Sequence, residues 1–204
     1  MVAVPRPVDP ERHAARRLQI IDAGLTVFAA RGYAGATTAL ICRTAGIGSG
    51  TFFHYFPTKA DLLVAILELG TTETRDFFSA QDGRSDSVQV LLDYVRHAAA
   101  DLEDERAAGF VNAVAGQTST AAVAAALEAE DRAVRDGLYV WVERAQHDGS
   151  VRTDLPVSQL VAWIILVLDG FASQVAARAE FRATRETPML LEQVQRLLDS
   201  GPDG

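Results

Sequence analysis

The residues best suited to chemistry lie between Thr37 and Leu63, and their types favour binding over bond-making. Two short runs, each long enough for about two helical turns, meet at a tight turn containing Gly46 and follow a longer amphipathic segment. That is the pattern of a helix-turn-helix. In the second run, Phe52 and Phe56 stand four apart and can plug a small core, while Ser49, Thr51, His54 and Tyr55 carry polar tips that point largely outward. Gly50 leaves room for close backbone approach. A solvated helical face normally carries Glu, Lys and Arg. This one is neutral, aromatic and hydroxyl-rich, a surface that suits sugar-phosphate and thymine methyl groups.

Lys59, the only lysine in the chain, stands where a fourth helix begins at a Thr58–Asp61 capping box. A cation in a first helical turn opposes the positive end of the macrodipole, at a cost of a few tenths of a kcal/mol. A phosphate at that point would reverse the sign, because lysine and the unpaired helix N–H groups then act together; the alternative is a solvent-exposed lysine of no consequence. Arg12, Arg16 and Arg17 on the first helix could add phosphate contacts. The charge distribution agrees. Residues 1–60 carry seven basic and three acidic groups, a net of +4, and the remainder carries −12, giving the chain its −8. Either one small region faces a polyanion, or the asymmetry is a fluctuation in a solvated surface.

Catalytic chemistry finds little support. Cys42 is a lone cysteine with no basic neighbour in sequence, and His13, His54, His97 and His147 lack metal-ligand spacing. Gly46–Gly50 lacks the lysine of a phosphate-binding loop and follows a helix rather than a strand. Asp101–Glu105 is most simply a solvated helix junction. No catalytic residue, metal or cofactor is expected.

These residues must be positioned by helices. The 204 residues, at about 150 per domain, give roughly 1.4 domains. Leu18, Ile21, Leu25 and Phe28 recur at helical spacing up to a stop at Gly32, and Thr37 or Thr38 can cap the next helix. Further helices are predicted at about 60–80, 88–103, 105–117, 120–147, 157–182 and 188–199, the last opened by Thr187–Pro188. No stretch alternates with period two, so the fold class is all-α. The segment around Leu160–Leu168 is apolar on every face, which asks for burial all round, by a partner subunit or at the centre of a monomer. Its nine-residue apolar run is short of the ~20 needed to span a bilayer. Met1–Pro10 has three prolines and no apolar core, unlike a secretory signal. A cytoplasmic setting is expected.

The run Gly32–Tyr33, Thr37–Thr38, Ile41–Cys42, Ala45–Lys59 and Leu62–Leu63 resembles the N-terminal signature of the tetracycline-repressor (TetR/AcrR) family of bacterial transcriptional regulators, over about residues 12–63. The resemblance implies about nine helices: a three-helix DNA-binding domain over 1–60, and an effector-binding and dimerisation domain over 61–204. It also implies a homodimer through the helices near 157–182 and 188–199, reading a near-palindromic operator. By position, Thr38, Tyr55 and Lys59 would bind phosphate, and Ser49, Thr51 and His54 would face bases or backbone. The sequence departs from the pattern at Phe53, where the family usually has tyrosine, at Gly48 in place of a serine cap, and at Ala39–Leu40. The family places its effector among the fourth to eighth helices. Here ten alanines in Ala107–Ala129 leave room, and Tyr94, Phe110, Gln117 and Trp141 are the candidate contacts for an apolar or aromatic small molecule. The implied function is a ligand-responsive repressor; the alternative is a helical dimeric scaffold acting through protein partners.

Overall fold

The computed structural model describes residues 9–115 and 120–199. Among them, all regular structure is helical, in nine helices and without a strand. The first is α1 (Pro10–Gly35), which begins at Asp9, whose carboxylate accepts from the Glu11 and Arg12 amides, with Pro10 supplying a preset φ. Its backbone breaks at Gly32, with φ at 65°. Thr37 caps α2 (Thr38–Thr44) by accepting from the Leu40 amide. Gly46 takes φ 63° in the turn to α3 (Ser49–Tyr55), a conformation that L side chains rarely adopt. Gly48 stands at the start of α3 with no side-chain cap. α4 (Lys59–Ser79) opens with the predicted reciprocal capping box, Thr58 with Asp61.

The body holds α5 (Ser87–Asp101), α6 (Ala107–Val114), α7 (Ala121–His147), α8 (Val157–Ala177) and α9 (Ala183–Leu198). Phe28, Ile20, Ile41, Phe52 and Leu62 are fully buried and form the centre of the first core. That core continues through Leu63 and Ile66 of α4 to Ala113 of α6 and Val123 of α7. A second core packs α5, α7, α8 and α9 around Leu91, Trp141, Leu160, Ile164 and Val194. At the junction, α6 lies hard against α1: a methyl group at Gly109 would come within 2.3 Å of the Ala29 carbonyl oxygen.

Two boundaries and one burial pattern differ from expectation: α8 ends at Ala177, five residues short of the predicted 182. α9 starts five residues before Pro188, because Ala183 is buried and Thr187 Oγ1 donates to the Ala183 carbonyl at 2.7 Å, so the helix runs on through the proline. α8 is not covered all round. Leu160, Val161, Ile164 and Phe171 face the core, whereas Trp163 and Leu166 are 47% and 55% exposed. Taken over eighteen residues instead of an unbroken apolar run, α8 is long and apolar enough to cross a membrane, with a mean hydropathy of 1.9 in that window. The amphipathic α9 packs along it, leaving Met189 exposed.

Candidate nucleic-acid interface and adjoining cavities

The helix-turn-helix places the polar side chains of α3 as its spacing predicts. Phe52 and Phe56 are buried; Ser49, Thr51 and His54 are exposed, and Tyr55 is half-buried. Phe53 is 52% exposed, an aromatic ring without a hydroxyl on the outer face. Thr38 begins α2, half-buried. His13, inconspicuous in the sequence, stacks on Tyr55 with ring centroids 4.5 Å apart and lies 6.1 Å from the His54 ring. The two positions are forty-two residues apart in the chain, so no local pattern connects them.

The first-helix arginines hold this head together as well as charging it. Arg16 donates to Gln19, which donates to the Ala45 carbonyl at 2.7 Å, and Arg17 lies over the Phe56 ring. Arg12 is exposed. Lys59 also has a structural task. Its Nζ donates to the Tyr33 and Ala36 carbonyls at 2.6 and 2.9 Å and sits 4.3 Å from the Tyr33 ring centroid. The unfavourable placement of a cation at the start of α4 is thereby offset by the negative carbonyl end of α1. Partial burial lowers the Lys59 pKa from its ordinary value. An ammonium has three donors, so one remains for an anion.

At its far end α4 delivers Phe77 and Phe78 to Tyr94 on α5, with centroids 5.4 and 4.6 Å away. Tyr94 is 3% exposed, and burial pushes its phenol up to about 12. It lines a cavity of about 450 Å³ between α5, α7 and α8. A second cavity, of about 580 Å³, lies between α1, α6 and α7 and is lined by Phe110. Both volumes fall in the range of small-molecule sites. Trp141 lines neither: it is buried in the second core with the Arg144 guanidinium 4.5 Å from its ring centroid. Gln117 lies outside the described residues. Asp101, read from the sequence as part of a solvated junction, borders both cavities, as do Glu130 and Asp169.

Glu130 is the most enclosed of the three. Its Oε1 would lie 3.3 Å from a methyl group at Gly70 of α4. Burial, and then Asp101, raise its pKa. The folded protein therefore holds the Glu130 proton more tightly than the unfolded chain does. Its contribution to stability is intact in acid and is lost as pH climbs through the folded pKa. Glu130→Gln removes that loss: the variant should melt above the parent at pH 7.5, with the gap closing near pH 4, by calorimetry. Each kcal/mol recovered corresponds to about 2–4 °C in a chain of this size. The other titratable groups lining the same cavities (Asp101, Tyr94 and His97 of α5, Asp131 of α7, Asp169 of α8, Asp104 and Arg106 before α6) are the same in both proteins.

Known proteins resemble this chain in sequence and in fold. The sequence profile for bacterial regulatory proteins, tetR family, matches residues 20–66. The HTH-type transcriptional repressor Rv1474c of Mycobacterium tuberculosis is 30% identical over 183 residues, covering 83% of this chain and 87% of that protein. The repressor AcnR of Corynebacterium glutamicum is 27% identical over 184 residues, 90% of this chain and 94% of its own length. Among solved structures, a TetR transcription regulator from Haloarcula marismortui superposes with a TM-score of 0.78 at 17% identity, covering 91% of this chain and 97% of that one. FadR from Bacillus subtilis in complex with stearoyl-CoA does so with 0.75 at 18% identity, covering 89% and 98%. The helix-turn-helix with its outward polar face and the nine-helix frame behind it thus carry a recognised identity: this chain belongs to the tetR family of bacterial regulatory proteins and is a DNA-binding transcriptional regulator.

Proposed function

We propose that the protein is a homodimeric repressor that releases a near-palindromic operator when a small molecule fills the cavities between α5, α6, α7 and α8. Residues 1–60 are the reading head and 61–204 the effector and dimer unit. The observation that carries this reading is the outer face of α3: Ser49, Thr51 and His54 stand free at the tip of a head that is net positive, while the body is strongly negative. Ser49, Thr51 and His54 meet bases or backbone; Thr38, Tyr55 and Lys59 take phosphates. The uncovered flank of α8, with Trp163 and Leu166, packs against its twin with α9 alongside. Two heads held this way engage successive major grooves about 34–36 Å apart. The stearoyl-CoA of the FadR complex and the repressors among the relatives support a regulator of this type. The setting is cytoplasmic.

Selection from random duplex, followed by a salt titration, tests the reading. Affinity should fall steeply with salt as counterion release is suppressed, and Lys59→Ala should weaken all sequences about equally, with a log–log slope shallower by roughly one unit. Thr51→Ala or His54→Ala should instead relax preference at one base position. A purified protein that is monomeric, or ignores duplex at low salt, sinks the proposal and favours a protein-partner scaffold.

A further inference from the structure

The two cavities share part of their walls, and the shared residues decide what they can hold. Asp101, Glu130 and Asp169 border both, with Leu102 and Leu127 between them; Asp131 joins the wall of the first. Glu130 lies within the wall, while Asp101 and Asp169 stand at the more exposed rim. None of these three is ion-paired among the described residues. The one lysine or arginine bordering either cavity is Arg106, and its guanidinium is already held by Asp104, Asp22 and Thr26. The first cavity adds Thr74, Tyr94 and His97 beside Ile165 and Leu168 of α8, whereas the second is walled chiefly by apolar groups, Phe110, Val111 and Val114 of α6 with Leu25 and Leu67.

Such a volume discriminates by charge. An anionic occupant would add to carboxylates that already repel one another, Asp101 with Glu130 and Asp131 with Asp169. A wholly apolar one would strip water from those carboxylates and return nothing. A bare metal ion does not fit either, because among the described residues no three carboxylate, imidazole or thiolate groups converge to hold one. Resting on the reading of these cavities as the effector site, we propose that they take an amphipathic organic cation, its ammonium paired with Glu130 in the field of Asp101 and Asp169 and its apolar part along α6. The same charge that repels nucleic acid from the body draws a cation to the opening.

The experiment compares three probes of one chain length, decylammonium, decanol and decanoate, by isothermal calorimetry below their micellar concentrations on the full-length protein at pH 7.5. Decylammonium is expected to bind at least tenfold more tightly than decanol, with decanoate weakest. Glu130→Gln and Asp169→Asn, each confirmed folded by its melting curve, should lower the decylammonium affinity about tenfold and leave decanol unchanged. A merely structural carboxylate would move all three probes together. Decanol or decanoate binding as tightly as decylammonium overturns the charge assignment while leaving an effector site in place, as does an unchanged decylammonium affinity in both variants. Absence of binding by all three overturns the effector-site reading and the assignment with it.

Discussion

Phe52→Ala should cost about 3–5 kcal/mol of stability and abolish duplex binding in the same step. Phe52 is fully buried at the centre of the first core, with Phe56 6.1 Å away centroid to centroid, and α3 has only two turns of its own to stay helical. A helix that short is held by packing rather than by propensity. The adjacent position gives the control. Phe53 is half exposed, so Phe53→Ala should shift the denaturation midpoint little. Phe53→Tyr should leave the fold alone and add a phenolic donor to the DNA face, tightening duplex binding by about 0.5–1.5 kcal/mol, the net worth of one hydrogen bond. Urea denaturation and fluorescence anisotropy on the three variants check the contrast. A Phe52→Ala protein that still bound duplex would show that α3 is ordered by something other than this core.

The second large effect is expected from Gly109→Ala. The added methyl would lie 2.3 Å from the Ala29 carbonyl oxygen, and the obstacle is backbone on both sides, so no rotamer change relieves it. Overpacking of this kind costs about 1–3 kcal/mol. Moving α6 off α1 also moves the ground under the reading head, so duplex affinity should change by more than global stability explains. Calorimetric melting beside anisotropy separates the two. If the variant melted with the parent and bound duplex alike, the close α1–α6 contact would be unimportant to the head.

The head was legible because its signals are local. Thr37 and Thr58 announced helix starts through hydroxyls that accept from amides three residues further on, and the spacing of Phe52 and Phe56 placed the outward face of α3. The body was less so. Thr187–Pro188 has the form of a helix start, but the burial of Ala183 overrode it. Trp141 drew attention by size, yet helical phase turns it into the second core and away from both cavities. Asp101 looks solvated beside Glu103, Asp104 and Glu105. It is exposed, and the turn between α5 and α6 also sets it on the wall shared by two cavities, with carboxylates twenty-nine and sixty-eight residues further on. Only tertiary structure assembles that group.

One guanidinium spans the boundary between head and body. Arg106 grips Asp22 at 2.7 Å and Thr26 at 3.0 Å on α1 while it borders the second cavity, and α6 follows it immediately in the chain. On the proposed function, a molecule that displaced this bracket would tilt the first helix, and linkage would run both ways. An operator that fixed the posture of α1 would then retune the grip on the occupant by the same factor that the occupant imposes on the operator.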